Sequence, residues 1–262
     1  NEIDELGPVR WKKILNYFPD LEVAWQADLT EFLKSGLDKK TAEIITSQKT
    51  VKNPDKLLDQ VEKIGCKLIT IKDENYPKLL KQIYAPPPLL YCLGEFNFNQ
   101  GPTLAVVGSR KITNYGRQVA QDLISELSRV GLTIISGLAL GTDALAHKIT
   151  VENSGKTVAV LGSGIDVISP NANYQLGKRI IETGGAIISE FKPRTKGQKF
   201  TFPQRNRVIA GLSLGTLIIE AAKKSGALIT ANYALEQSRE VFALPGDIYN
   251  STCDGTNNLI KL

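Results

Sequence analysis

The sequence predicts an α/β fold in which a doubly wound, mostly parallel sheet follows a small all-helical domain. From position 104 onward, short β-branched runs alternate with glycine-containing turns and helical stretches. The runs start 24 to 31 residues apart, which is the span of a strand, a helix and two short loops. They are apolar throughout, as strands covered by helices on both faces must be.

The first fifty residues show helical patterns only. The predicted helices cover residues 7–18, 21–36 and 38–49. Gly36 is expected to end the second helix and Asp38 to cap the third. We expect residues 1–52 to form a separate helical domain of the SAM or helix-hairpin-helix type.

Residues 53–262 are predicted to form the larger domain. Its first part contains two short strands, at 67–71 and 89–93, and we expect both to extend the main sheet. The remaining strands are predicted at residues 104–107, 133–136, 157–161, 186–189, 217–220 and 241–244. Between the first two of these, apolar residues from Val119 to Val130 fall on one stripe of a helix.

Composition narrows the class of protein. The 262 residues carry a net charge of +5 and the pI is about 9.0, a weak indication of an acidic partner. Three widely spaced cysteines have neither metal-ligand nor disulfide spacing. No apolar run could cross a bilayer and no export leader is recognisable. We therefore expect a cytoplasmic protein with no metal site and no membrane segment.

One segment, residues 191–217, concentrates positive charge. It contains six Lys or Arg residues and no Asp or Glu. A solvated loop would explain the charge alone. However, Phe200 and Phe202 lie among the cations, and a solvated loop has little use for exposed rings. The pattern favours a binding loop.

The same loop is expected at the ligand-binding edge of the sheet, because ligands bind beyond the carboxyl ends of parallel strands. The turn GSR (108–110) follows the first of the six strands and the basic segment follows the fourth, which places Arg110 beside that segment. Small turn residues let backbone N–H groups approach a phosphate. Neither a dinucleotide fingerprint nor a P-loop is present. His147 is expected to hydrogen-bond locally rather than act as a catalytic base.

These residue types suit an unpaired polynucleotide. Lys and Arg neutralise phosphates, and a ring such as that of Phe202 offers a base a stacking platform worth about 1–3 kcal/mol. Asn206 can hydrogen-bond a backbone or a base edge. A duplex would hide the faces of its bases from the ring. The sequence therefore predicts a groove for single-stranded nucleic acid.

Several motifs in one order resemble the DprA (Smf) family of bacterial DNA-processing proteins. They are VVGSR, SGLALGTDALAH, TVAVLGSGID, FPQRNRVIAGLS, EAAKKSGALITANYALEQSREVFALPGD and GTNNLIK, and the resemblance covers about residues 70–262. It implies an extended Rossmann-like domain, with no enzymatic activity and no cofactor, that binds single-stranded DNA. It also implies a homodimer that passes DNA to the RecA recombinase and protects incoming DNA during natural transformation. Many members carry a C-terminal winged-helix module, which we expect to be missing here.

The resemblance also assigns a site, on the GSR turn and the basic segment. Carried over position by position, the expected DNA contacts are Gly108, Ser109, Arg110, Lys199, Phe202, Arg205, Asn206 and Arg207. No residue is expected to be catalytic. Thr142 stands where the family usually has Ile, and we expect this difference to affect packing only.

Two other functions fit parts of the sequence. Related Rossmann-like enzymes are phosphoribohydrolases that cleave nucleoside monophosphates at the N-glycosidic bond, and Gly215, Thr216 and Glu220 have a similar spacing here. The Pro-Gly-Gly that precedes those residues in such enzymes is absent, so we expect Glu220 to be a structural partner for a Thr or Arg. The third alternative is a scaffold whose basic segment binds an acidic protein.

Overall fold

The computed structural model describes residue 3 and residues 5–261. Its helices are α1 (Pro8–Tyr17), α2 (Leu21–Gln26), α3 (Leu29–Lys34), α4 (Lys39–Lys49), α5 (Pro54–Lys63), α6 (Lys78–Lys81), α7 (Asn114–Arg129), α8 (Thr142–Glu152), α9 (Tyr174–Glu182), α10 (Thr201–Gly211), α11 (Gly226–Glu236) and α12 (Asp254–Ile260). Its strands are β1 (Lys67–Thr70), β2 (Leu89–Leu93), β3 (Thr103–Val107), β4 (Thr133–Ser136), β5 (Thr157–Leu161), β6 (Ala186–Ser189), β7 (Gly215–Ile218) and β8 (Glu240–Ala243).

Helices α1 to α4 pack around a buried apolar cluster of their own. An aspartate caps each of α2, α3 and α4 by accepting a hydrogen bond from the backbone N–H three residues on. The cap predicted at Asp38 is confirmed, and Gly36 follows α3 with a φ of +85°. The single helix predicted over 21–36 is wrong, because Asp28 caps a new helix in the middle of that segment.

The eight strands form one sheet in the order β1-β2-β6-β5-β4-β3-β7-β8. Strand β2 runs antiparallel to both of its neighbours, and every other pair of neighbouring strands is parallel. The prediction that the first two strands extend the main sheet is confirmed. The carboxyl ends of the parallel strands therefore lie at one common edge, called the rim below.

Helices cover both faces of the sheet. In β3, Ala105 and Val107 pack in the cluster that contains residues of α10 and α11. Leu104 and Val106 alternate with them and pack in the cluster that contains residues of α7 and α8. Burial on both faces explains the continuous apolar runs and confirms the doubly wound α/β class.

Strand β7 begins two residues before the predicted 217–220. Its first residue, Gly215, lies against Phe242 of β8: a Cβ there would be 2.8 Å from Cε2 of the ring. A glycine adds nothing to an apolar pattern, so the sequence did not indicate this start. The strand ends at Ile218, which leaves Glu220 beyond its carboxyl end, at the rim.

None of the helices in the described part of the chain has the length and apolar character that crossing a membrane requires. Among the same residues, no group of His, Cys, Asp or Glu is arranged to hold a metal ion. Cys66, Cys92 and Cys253 are free, buried thiols.

Candidate nucleic-acid interface

Arg110 and Phe202, which are 92 positions apart in the sequence, meet at the rim. The guanidinium carbon of Arg110 lies 5.8 Å from the centroid of the Phe202 ring. Arg110 is exposed and Phe202 is half-buried, so solvent reaches both the cation and part of the ring. A cation beside an aromatic ring is stabilised by about 0.5–1 kcal/mol when exposed. The pair combines a positive charge with a flat apolar surface.

The GSR turn is held tightly against the start of α8. A Cβ at Gly108 would lie 2.6 Å from Oγ1 of Thr142, so a side chain at this position would not fit. The backbone N–H and the hydroxyl of Thr142 both donate to the carbonyl of Ser109, each at 3.1 Å. The expectation that Thr142 affects only packing is wrong, because its hydroxyl adds a hydrogen bond to the turn that carries Arg110.

The Phe202 ring has a seat made by two glycines. A Cβ at Gly162 would lie 2.7 Å from Cδ1 of the ring, and one at Gly197 would lie 2.8 Å from Cζ. Thr201 fixes the backbone beside the ring by donating from its hydroxyl to the Gly162 carbonyl at 2.5 Å. No prediction from the sequence included this seat, although the glycine-rich GSG after β5 is a signal that another group approaches the backbone there.

Arg205 does not reach the surface, and the predicted DNA contact at this residue is corrected. Only 4% of the residue is exposed. Its Nη1 donates to the carbonyl of Gly137, at 2.6 Å, and to the carbonyl of Val160, so it ties α10 to the ends of β4 and β5. Burial lowers the pKa of Arg205 to about 10, which still leaves it charged at neutral pH. Its role is to hold the rim together.

The predicted contact at Arg207 is corrected for the same reason. The residue is 9% exposed. It forms an ion pair with Glu190 and donates to the carbonyl of Ala85 at 2.7 Å. Burial raises the pKa of Glu190, and the Arg207 charge opposes that shift. Removing one partner of such a buried pair is costly, but the pair presents no unsatisfied cation to solvent.

The other predicted contacts lie at the surface. Lys199 is exposed, and Gly108 and Ser109 are half-buried in their turn. Asn206 is half-buried, and its side chain already has partners in the protein: Nδ2 donates to the carbonyl of Gly226 at 3.3 Å, and Oδ1 accepts from Arg205. Of the predicted cationic and aromatic contacts, Arg110, Lys199 and Phe202 are therefore the ones whose side chains solvent reaches.

Two candidate catalytic groups are occupied inside the protein. His147 is fully buried with Nδ1 2.7 Å from Oγ1 of Thr157, which confirms a local hydrogen bond. Burial lowers its pKa to about 3, so the imidazole is neutral. Glu220 is also fully buried and accepts from the backbone N–H and the hydroxyl of Thr113, which confirms its structural pairing with a threonine.

Comparison with known proteins identifies the family. Residues 67–262 match the sequence model of the family described as DNA recombination-mediator protein A. The chain belongs to this family. The resemblance to DprA and Smf proteins drawn from the motifs is thereby confirmed.

Relatives in this recombination-mediator family include Protein Smf of Synechocystis sp., which is 39% identical over 99% of this chain and 66% of its own length. DNA processing protein DprA of Bacillus subtilis is 41% identical over 75% of this chain and 66% of its own length. The chain therefore spans about two thirds of the length of these relatives.

Solved structures show the same architecture. The X-ray structure of DNA processing protein A from Streptococcus pneumoniae has a TM-score of 0.88 and 35% identity, and the match covers 99% of this chain and 89% of that one. A second solved structure, of DNA processing protein A from Helicobacter pylori, has a TM-score of 0.67 and 31% identity over 75% of this chain and 87% of that one. It was described for its single-stranded DNA binding mode.

Proposed function

We propose that this protein binds single-stranded DNA at the rim, without cutting it. Arg110 and Lys199 meet the phosphates, and Phe202 stacks on an unpaired base. The observation that carries the proposal is the position of the exposed Arg110 guanidinium 5.8 Å from the half-buried ring of Phe202. Backbone amides of the GSR turn, at Gly108 and Ser109, lie beside this pair and suit a phosphate oxygen.

The geometry favours a single strand over a duplex. A base can stack on Phe202 only when its face is uncovered, and stacking of this kind contributes about 1–3 kcal/mol per base. Exposed cations supply an attraction that does not depend on sequence. The single-stranded DNA binding mode described for the Helicobacter pylori relative supports the same ligand here.

Family membership supports the wider role. We infer that the protein protects incoming single strands and loads RecA onto them during natural transformation and recombination, and that it acts as a homodimer. Three free thiols support a reducing compartment such as the cytoplasm. The hydrogen bonds from Thr113 to Glu220 argue against a phosphoribohydrolase, which would need that carboxylate for catalysis. The domain boundary between residues 52 and 53 stays a prediction, supported by the separate cluster in α1 to α4.

The direct test is the binding of a labelled oligothymidine at several salt concentrations, with a duplex of equal length as control. The logarithm of the association constant for the single strand should fall linearly with the logarithm of the salt concentration, with a slope of about −0.7 per neutralised phosphate. The duplex should bind much more weakly. Equal affinity for both, or binding that salt does not weaken, would contradict the proposal.

The two alternatives predict different results in parallel assays. A phosphoribohydrolase would release free base from nucleoside monophosphates, and we expect no release. A scaffold whose basic segment binds acidic proteins would attract both DNAs through charge alone, so it would bind the oligothymidine no more tightly than the duplex.

A further inference from the structure

A groove of about 740 Å³ separates α1 from the segment that follows β6. Residues 6–8, at the start of α1, form part of one wall. Residues 190–196 form part of the opposite wall, together with Phe200, which caps α10, and Gln204 within that helix. The groove therefore joins the helical unit to the basic segment, and the eight predicted DNA contacts do not line it.

Phe200 is an exposed ring that lines this groove. It is 63% exposed, whereas Phe202 is half-buried against two glycines. Thr201 lies between the two and is anchored to the Gly162 carbonyl, so the chain is fixed where the two rings diverge. The ring of Phe202, in the first turn of α10, meets Arg110 at the rim, whereas the ring of Phe200 lines the groove. The two residues are two positions apart at the start of α10, so their Cα atoms lie within one helical turn, about 5.4 Å along the axis, although their rings face different sides.

The groove is also positively charged. Lys192, Arg194 and Lys196 line it, and Arg194 and Lys196 are exposed. Among the described lining residues, the acidic one is Glu190, whose charge is offset by its ion pair with Arg207. Cations next to an exposed ring suit a polynucleotide chain, which offers phosphates and flat bases in alternation.

We propose that a bound single strand continues from the Arg110–Phe202 pair over the first turn of α10 into this groove. Phe200 stacks a second base, and the start of α1 forms the opposite wall. This inference rests on the proposed function and extends it, because it makes the helical unit part of the binding surface for longer strands. A strand short enough to occupy the rim alone would not reach α1.

Gly7 offers a charge test on the α1 wall. Its φ is −70°, and no atom lies within 4 Å of a Cβ built there, so a side chain can leave the backbone at this position without a clash. Gly7→Glu adds a negative charge to the groove, and Gly7→Gln is the matched neutral control. With an oligothymidine of about 15 nucleotides at low salt, Gly7→Glu should bind about two- to fivefold more weakly than Gly7→Gln. With about 6 nucleotides, the two variants should bind equally.

Phe200 tests the other wall. Phe200→Ala should weaken binding of the longer strand about tenfold and leave the shorter one unchanged. Val130→Ala, which truncates a 71% exposed side chain at the opposite edge of the sheet, should change neither. Circular dichroism of each variant checks that the fold is retained.

The outcomes separate the two proposals. If Arg110→Ala weakens both oligothymidines but the Gly7 and Phe200 variants show no dependence on strand length, the groove inference is overturned and the rim site stands. If the wild-type protein binds neither oligothymidine, the proposed function fails and the groove inference fails with it.

Discussion

Replacing Arg205 with alanine is expected to destabilise the protein without removing a DNA contact. The guanidinium satisfies two buried carbonyls, those of Gly137 and Val160. Its charge also lowers the pKa of the buried Asp143, which burial raises. The substitution leaves both carbonyls without this donor and removes the cation near that carboxylate, which keeps the hydrogen bond from the backbone N–H of Gly137. An unsatisfied buried polar group costs about 1–3 kcal/mol, so we expect a loss of about 2–5 kcal/mol in the free energy of unfolding.

Urea unfolding followed by circular dichroism measures this loss. Fluorescence is less suitable because both tryptophans, Trp11 and Trp25, lie in α1 and α2 and would report on the helical unit. The matched control is Arg110→Ala, which removes an exposed cation and should change stability by less than about 0.5 kcal/mol.

DNA binding completes the comparison. The folded fraction of Arg205→Ala should keep the salt slope of the wild-type protein, whereas Arg110→Ala should flatten it by about 0.7. If Arg205→Ala were as stable as the wild type and flattened the slope by the same amount, the guanidinium would be a phosphate contact and the structural role assigned to it would be refuted.

Two further predictions concern the seat of Phe202 and the buried histidine. Gly162→Ala should displace the Phe202 ring, which should lower single-strand affinity about tenfold and lower the free energy of unfolding in urea by about 1–3 kcal/mol. The control is Gly226→Ala, where no atom lies within 4 Å of the added Cβ, and it should change neither the affinity nor the stability. Burial lowers the pKa of His147 to about 3, against about 6.5 in the unfolded chain, so its contribution to stability is complete above pH 6.5 and is lost as the pH falls from there towards 3. Between pH 7 and pH 5, this group should lower the free energy of unfolding by about 2 kcal/mol, measured by urea unfolding at each pH. The variant His147→Asn should not show this loss. The same pH dependence in both proteins would contradict a buried, neutral His147.

The architecture of the sheet could be predicted because burial on both faces leaves a direct mark on the sequence. The runs at 133–136, 157–161 and 186–189 coincide with β4, β5 and β6. Local signals that do not change hydrophobicity were harder to interpret. Asp28 caps a new helix in the middle of a continuous helical pattern. Gly215, which has no side chain to add to an apolar run, is the first residue of β7.

The candidate site was predictable only in part. Arg110, Arg205 and Arg207 are the same residue type, and the sequence places all three near one edge of the sheet. Whether each guanidinium faces solvent depends on which carbonyls and carboxylates the fold brings beside it. Val160 and Ala85, which accept from Arg205 and Arg207, are 45 and 122 positions away. No local pattern could indicate these partners.

The most direct test is the salt dependence of oligothymidine affinity, measured for the wild type, Arg110→Ala and Phe202→Ala. It shows whether the cation and the ring at the rim bind a single strand. Arg110→Ala should flatten the slope by about 0.7. Phe202→Ala should lower affinity about tenfold at every salt concentration and leave the slope unchanged. Wild-type affinity and slope in both variants would show that DNA binds elsewhere or not at all.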